Sequence, residues 1–258
     1  MSSTSTHRPY IGVTGFTTAG QIRSAMDAYR STGITSHVLM CGMLADKTML
    51  QGITPPSPRH VTNINTLISL ITAATDAFPV IHYVMFDCED SFAKDLMSIL
   101  QPLADRDLPL AVQLNGTPTV EEVTLLRSKF PDLTLLYQVR PELLACGSGA
   151  VAQELRRHES GTLSYALIDP SCGTGKDFDI PEVMRTYKAL RQKVPDIGIG
   201  FAGGLDGANA KVRVQEIQEA IGSDDFSVDA EGKLFTGDLL DAEKTARYLR
   251  AAAGGFTA

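Results

Sequence analysis

The chain has 258 residues, of which 43% are hydrophobic and 21% are charged, and its net charge is −7. These values are typical of a globular protein, and the lack of any Lys/Arg cluster argues against nucleic acid as a partner. No apolar run reaches the ~18 residues that span a bilayer, so we expect no membrane association. The four cysteines are scattered without metal-type spacing, and we interpret them as free thiols of a cytoplasmic protein.

The first half of the chain alternates short apolar runs with segments of helical spacing. Residues 1–9 are polar and are predicted to form a flexible tail ahead of a single domain, 10–258. Residues 42–60 are predicted to be a long polar loop. The predicted strands are Tyr10–Thr14, Ser36–Cys41, Val80–Phe86 and Leu110–Leu114, and the predicted helices include Gln21–Arg30 and Phe92–Leu103.

The second half repeats the same pattern. Its predicted strands are Leu133–Val139, Leu163–Ile168, Ile197–Ala202 and Phe226–Asp229, and its predicted helices are Val151–His158, Ile180–Lys193, Val212–Ile221 and Ala242–Ala253. Strands that alternate with helices form parallel sheets, and eight such units in about 250 residues favour a closed (β/α)8 barrel. The first strand–helix turn lacks a G-x-G-x-x-G pattern, which argues against an open dinucleotide-binding sheet.

A barrel of this kind carries its chemistry at the carboxyl ends of its strands. Asp169 ends the sixth predicted strand, and the loop after it contains Gly173-Thr174-Gly175-Lys176. A carboxylate in this position can transfer a proton, and the backbone N–H groups and the lysine of the loop can hold an anion. Gly203 and Gly204 end the seventh strand, where such barrels often bind phosphate. The alternative for both loops is a tight turn without a function.

Several segments resemble phosphoribosylanthranilate isomerase, a barrel enzyme of tryptophan biosynthesis. The resembling segments are Val13-Thr14-Gly15-Phe16-Thr17, Ser57-Pro58-Arg59-His60-Val61, Val112-Gln113-Leu114-Asn115-Gly116, the loop after Asp169 through Asp179, and Ala202-Gly203-Gly204-Leu205. They occur in the order of that family and cover most of the chain.

The resemblance implies a role for each matched position. Asp169 corresponds to the general acid of an Amadori rearrangement, which converts an N-linked aldose into an aminoketose, and Arg59 to the residue that holds a carboxylate. Thr14 stands where the family has its general base, a cysteine. The other matched positions imply contacts with the substrate or its phosphate, and these are Gln113, Asn115, Gly173, Lys176, Gly203, Gly204 and Gly232.

Three departures from the family pattern stand out. The hydroxyl of Thr14 cannot act unaided as a base near pH 7. Asn115 replaces a histidine, and Glu231 lies in the phosphate loop, where its charge would repel a phosphate. Cys41 and Asp87, at the predicted ends of strands two and three, are the candidate substitute bases; alternatively, Cys41 is a small buried hydrophobe and Asp87 an exposed loop acid.

The sequence therefore predicts an acid/base isomerase that acts on a small anionic or phosphorylated, sugar-like substrate and has diverged from the tryptophan-pathway reaction. The alternative is a ligand-binding or regulatory barrel that has lost the chemistry. A lyase with a Schiff base is less favoured, because no predicted strand ends in a lysine. We expect no cofactor and no metal, and either a monomer or a homodimer.

Overall fold

The computed structural model describes residues 7–85, 91–158, 160–171, 175 and 177–256. Eight parallel strands close into a barrel in which β1 pairs with both β2 and β8. The strands are β1 (Tyr10–Thr14), β2 (Val38–Ala45), β3 (Phe78–Val84), β4 (Ala111–Asn115), β5 (Thr134–Val139), β6 (Tyr165–Ile168), β7 (Gly198–Ala202) and β8 (Ser227–Ala230). The predicted (β/α)8 barrel is confirmed.

Helices follow the strands and surround the barrel. They are α1 (Ala19–Arg30), α2 (Thr48–Gln51), α3 (Ile64–Ala73), α4 (Phe92–Ala104), α5 (Val120–Lys129), α6 (Pro141–Ala145), α7 (Ser148–Arg156), α8 (Ile180–Lys193), α9 (Ala210–Ile221) and α10 (Ala242–Phe256). Thr119 and Glu122 form a capping box at the start of α5. A short hairpin, β9 (Phe235–Thr236) and β10 (Leu239–Leu240), connects β8 to α10. Within the described residues, no helix is both long and apolar enough to cross a membrane.

The alternation of side chains along each strand separates two cores. One apolar cluster fills the bottom of the barrel interior, and a larger one lies between the strands and the helices. The interior cluster consists of Tyr10, Met40, Val80, Ala111, Leu136 and Tyr165. On five of these six strands, the position two or four residues further along is a buried polar residue: Thr14, His82, Gln113, Gln138 and Asp169. These residues form a polar layer directly under the carboxyl-end mouth.

Strand β2 is longer than predicted. It continues to Ala45, and α2 occupies part of the predicted loop 42–60. Gly42, which resembles a turn residue in the sequence, lies within β2 opposite Thr14, where a Cβ atom would approach Thr14 Oγ1 to 2.4 Å. The glycine is therefore required to make room inside the barrel.

The predicted N-terminal tail, 1–9, is described only from His7. Arg8 donates hydrogen bonds to the carbonyl oxygens of Thr35 and His37, and its own carbonyl accepts one from Tyr165 Oη at 2.7 Å. Residues 7–9 therefore pack against the amino-end face of the barrel.

Gly12 is a second position at which packing demands glycine. A Cβ atom there would lie 2.5 Å from Asp229 Oδ1 and 2.7 Å from Met40 Cε. We expect Gly12→Ala to lower the free energy of unfolding by about 1–3 kcal/mol, because the well-packed interior must shift. Urea unfolding measures the change. The matched control is Gly254→Ala in α10, where nothing lies within 4 Å of the added methyl group, and equal losses for both variants would contradict this account.

Candidate active site

A chain of polar side chains crosses the barrel interior beneath the mouth. His82 on β3 and Gln113 on β4 both lie within hydrogen-bond distance of Gln138 Oε1 on β5, at 2.9 and 3.1 Å. Gln138 Nε2 in turn donates to Asp169 Oδ2 at 2.8 Å. Burial lowers the pKa of His82 to about 4, so the ring is neutral and its Nε2–H donates to Gln138. The chain therefore fixes the orientation of the Asp169 carboxyl group.

Asp169 follows β6, as predicted, and is 5% exposed. Its Oδ1 accepts hydrogen bonds from the backbone N–H of Ser171 at 3.0 Å and from Ser171 Oγ at 2.8 Å. Together with Gln138, these partners contact both carboxyl oxygens of Asp169. The carboxyl group is therefore held in one orientation.

Thr14 and Asp229 form a closed pair on neighbouring strands. Thr14 Oγ1 lies 3.3 and 3.2 Å from the two carboxyl oxygens of Asp229, and Thr14 is fully buried. Burial raises the pKa of Asp229 well above its ordinary value, and the nearby charges of Glu231 and Asp169 act in the same direction. Thr14, which stands at the base position of the resembling family, therefore contacts a buried acid instead of open space.

Glu231 separates two of the cavities that the described residues form at the mouth. We call the first the deep cavity; it has a volume of about 20 Å³ and includes Asp169, Gly203, Gly204, Asp229 and Glu231 in its lining. We call the second the upper cleft; it has a volume of about 340 Å³ and includes Arg59, His60, Asn115, Glu231 and Asp238. The deep cavity holds about one water molecule, whereas the upper cleft is large enough for a small metabolite.

Glu231 follows β8 and lines both cavities. Burial raises the pKa of Glu231 to about 7, with the charge of Asp169 adding to the effect and those of Arg59 and His60 opposing it. A carboxyl group that titrates near neutral pH exchanges protons readily in both directions. Sequence analysis treated Glu231 only as an obstacle to phosphate, and it missed this property.

Arg59 lies on one wall of the upper cleft. Its guanidinium stacks 4.1 Å above the Phe235 ring, donates to the carbonyl oxygen of Gly237 at 3.1 Å, and has its Nε 3.9 Å from Asp238 Oδ1. These contacts with the β9–β10 hairpin position the cation at the mouth, as the sequence predicted. Asn115, at the end of β4, lines the same cleft.

The remaining predicted binding residues that the structure describes fall into two groups. Gln113 is buried in the polar chain beneath the mouth, and Gly203, Gly204 and Gly232 line the deep cavity. Gly203 and Gly204 have φ of 122° and 62°, values that favour glycine. Asp87, Gly173 and Lys176 lie outside the described residues.

The loops around the deep cavity contain a cation that the sequence did not single out. Lys233 Nζ lies 2.9 Å from Asp177 Oδ1 and 4.0 Å from Asp206 Oδ2. Its charge is therefore largely neutralised by two neighbouring carboxylates. With Glu231 and Asp169 also lining the cavity, the charge balance of the described residues there is unfavourable for a phosphate dianion.

Cys41 is not at a strand end, and the hypothesis that it is a substitute base is wrong. The alternative, a small buried hydrophobe, is what the structure has. Cys41 lies in the middle of β2 and belongs to the apolar cluster that faces the helices. Burial raises the pKa of the Cys41 thiol far above its ordinary value, so the thiolate required of a base does not form. Within the described residues, no group of three or more His, Cys, Asp or Glu side chains is arranged to bind a metal ion.

Neither the models of known protein families nor the curated proteins give a match to this sequence. The fold is similar to that of N-(5'-phosphoribosyl)anthranilate isomerase from Pyrococcus furiosus, with 13% identity, a TM-score of 0.62, and coverage of 95% of this chain and 98% of the other. Triosephosphate isomerase from Bartonella henselae has 9% identity, a TM-score of 0.56 and coverage of 95% and 99%. 3-Hexulose-6-phosphate synthase from Salmonella typhimurium has 12% identity, a TM-score of 0.56, and coverage of 96% of this chain and 99% of the other. At these identities, the comparisons establish a TIM-barrel fold.

Proposed function

We propose that the protein is an acid/base isomerase that carries out an aldose–ketose rearrangement on a small, anionic, sugar-like molecule. The observation that carries this proposal is the position of Glu231, a carboxyl group with a pKa of about 7 on the wall between a substrate-sized cleft and a second carboxyl group, Asp169. Isomerases need a group that takes a proton from carbon and later returns it, and a pKa near the working pH favours both steps.

The reaction begins with a base. Ionised Glu231 removes the proton from C2, the C–H electron pair forms the C1=C2 double bond, and the heteroatom on C1 takes up a proton. Glu231 then returns its proton to C1 as the C2 hydroxyl loses its own, which leaves a ketose and restores the enzyme. Glu231 thus supplies the base that Thr14 cannot provide. In this scheme Asp169, the predicted acid, acts before the rearrangement, on the side of the deep cavity. It gives a proton to the ring oxygen as the sugar ring opens, and it regains one from the heteroatom on C1 as the double bond to C1 forms.

Arg59 is the proposed anchor for the anionic group. It is partly exposed on the upper cleft, and its planar guanidinium matches a carboxylate or a phosphate in two-point geometry. The deep cavity offers room for about one water molecule beside two carboxyl groups, and a phosphate there is disfavoured. We therefore place the anion at Arg59 and the reacting carbons next to Glu231.

The fold comparisons add support of a general kind. The neighbours include two isomerases and a synthase of a phosphorylated sugar, as their names state. The retained Asp169 and Arg59 also match the phosphoribosylanthranilate isomerase pattern. Because the identities are low, these likenesses support the class of reaction and leave the substrate to experiment.

Incorporation of deuterium from the solvent tests the proposed function, whatever the product. The purified protein is incubated in D₂O with a panel of aldoses, ketoses and N-linked aldoses that carry a carboxylate or a phosphate, and NMR follows deuterium at C1 and C2. We expect incorporation with at least one carboxylate- or phosphate-bearing member and none with its uncharged analogue. A complete lack of exchange across the panel would contradict the proposal.

Turnover of phosphoribosylanthranilate itself is expected to be very weak or absent. Thr14 replaces the family's base, and Glu231 replaces a hydroxyl-bearing part of its phosphate loop. Expression in a tryptophan auxotroph that lacks the isomerase measures the activity, with an authentic isomerase as the positive control. Robust growth at modest expression would show that the protein has kept the tryptophan-pathway reaction.

A non-catalytic ligand-binding barrel is the second candidate. It is favoured by the small volume of the deep cavity, about 20 Å³, which leaves little space beside Asp169 for a reacting group. This candidate predicts that a ligand binds at Arg59 in the upper cleft without any exchange of deuterium. The same panel therefore separates the two functions.

A further inference from the structure

A buried histidine–aspartate pair lies next to Arg59, outside the chain of residues that leads to Asp169. His60 Nδ1 is 2.5 Å from Asp46 Oδ2, and the side chains are 8% and 1% exposed, respectively. Sequence analysis included His60 only as part of a motif and missed Asp46. A contact of this kind between an imidazole and a carboxylate fixes the orientation of the ring.

The backbone holds both members of the pair in place. Val61 N donates to the carbonyl oxygen of Leu44 at 2.8 Å, and Leu44 and His60 form an additional parallel bridge that extends β2. Asp46 Oδ1 accepts hydrogen bonds from the backbone N–H of Thr48 at 2.7 Å and from its hydroxyl. Asp46 therefore binds the ring with one oxygen while its other oxygen is anchored to α2.

The orientation of the ring follows from these contacts. Nδ1 faces the buried Asp46, and Nε2 lies on the opposite side of an imidazole. His60 lines the upper cleft together with Arg59, Asn115 and Glu231, and its Nδ1 is the ring nitrogen that contacts Asp46. We therefore take Nε2 as the nitrogen available to a molecule in the cleft. Burial raises the pKa of Asp46, but the hydrogen bonds from His60 and Thr48 outweigh this effect and lower it overall, so the carboxylate stays ionised beside the ring.

We propose that His60, oriented by Asp46, is a second proton-transferring residue on the wall of the upper cleft. Its role rests on the proposed function: while Glu231 takes the C2 proton, His60 Nε2 gives a proton to the oxygen or nitrogen on C1, and the imidazolium becomes neutral imidazole. In the second half, Nε2 accepts the C2 hydroxyl proton as Glu231 protonates C1. The anion at Arg59 holds the substrate between the two groups.

The inference is tested through the reactivity of His60 toward an anionic electrophile, which requires no turnover. Accessible thiols are first blocked with a thiosulfonate, and the protein is then treated with bromoacetate or with uncharged bromoacetamide. Nε2 attacks the methylene carbon, bromide leaves, and the ring proton passes to the buffer. Peptide mass spectrometry gives the rate at each histidine, with N-acetylhistidine as the reference.

The quantity compared is the rate with bromoacetate divided by the rate with bromoacetamide. We expect this ratio to be about tenfold higher for His60 than for the reference, because Arg59 orients the anion beside Nε2. Arg59→Gln should abolish this preference. Asp46→Asn should slow both reagents at His60 by about tenfold or more, since an amide donor favours the tautomer whose Nε2 carries the proton. Asp76→Asn makes the same chemical change ahead of β3, at the opposite end of the barrel, where Asp76 pairs with Arg30. It is the matched control and should keep the preference.

If the His60–Asp46 pair has only a structural role, the alkylation rates should show a different pattern. If His60 stays unmodified, or shows no preference for the anion in the wild-type protein, the inference is overturned, and neither result depends on a variant that folds. A folded Asp46→Asn variant with an unchanged rate would also overturn it. The outcome is separate from the proposed function, because a protein that exchanges no deuterium can still show the reactive histidine.

Discussion

Glu231→Gln is expected to lower the turnover of the true substrate by about 10²- to 10⁴-fold, the usual contribution of a general base. Glutamine keeps the size of the side chain and removes its ability to carry a proton. The measurement is the rate of deuterium exchange with the panel member that the wild type accepts. Because glutamine still lines both cavities, KM should change much less than kcat.

The same substitution should alter stability in a pH-dependent way. The folded protein holds the pKa of Glu231 at about 7 against an ordinary value of 4.5. Between these pH values the unfolded chain binds fewer protons than the folded protein does. The stability of the wild type therefore falls as the pH rises, and it is level above pH 7. At pH 8 the free energy of unfolding of the variant should therefore be higher than that of the wild type by up to about 3 kcal/mol, and this difference should disappear below pH 4.5.

Glu219→Gln, on the exposed face of α9, is the matched control. It makes the same chemical change far from the mouth and should leave both the exchange rate and the pH profile of stability unchanged. Chemical denaturation of the three proteins at pH 4, 6 and 8 gives the comparison. An identical pH profile for the wild type and Glu231→Gln would remove Glu231 from this account.

Asp169→Asn is expected to cause a loss of turnover in the same range, about 10²- to 10⁴-fold. Asparagine keeps the oxygen that accepts from Ser171 but cannot exchange a proton. Its amide also places a donor opposite Gln138 Nε2, which now donates to Asp169. We therefore expect a loss of stability of about 1 kcal/mol, the net value of one hydrogen bond.

Ser171→Ala provides the graded comparison for Asp169. It removes one of the donors to Asp169 Oδ1 and keeps the carboxyl group, so turnover should fall by less than tenfold. Exchange rates and thermal melts are measured on both variants. Full activity in a well-folded Asp169→Asn protein would remove Asp169 from the mechanism and would favour the non-catalytic barrel.

The fold could be predicted because its cause is local. Short apolar runs that alternate with helical stripes define a (β/α)8 barrel, and the predicted bounds of β1 are those of the structure. The predicted end of β2 is wrong for a tertiary reason. Gly42 has the sequence features of a turn, but it is a glycine because Thr14 on the neighbouring strand fills its side-chain space.

The site could be predicted where a residue follows a strand directly, as Asp169 does, or belongs to a segment that matches the family pattern, as Arg59 does. Asp169 and Arg59 lie at the mouth as expected, whereas the Cys41 prediction depended on where β2 ends and on which way its side chain points. The inward position of His82 was detectable, since it alternates with Ile81 and Tyr83 of the outer core. Its contact with Gln138, and the pairing of His60 with Asp46, depend on closure of the barrel and carry no local signal.

The central claim is that Glu231 is the proton-transferring group, and its titration tests this most directly. In protein labelled with ¹³C at the glutamate side-chain carboxyl, the Glu231 resonance is identified by its loss in Glu231→Gln and is followed from pH 3 to pH 9. The account predicts a midpoint at about 7, which falls in Asp169→Asn and rises in Arg59→Gln as the neighbouring charges are removed. A midpoint close to the ordinary value of 4.5 in the wild type would contradict it.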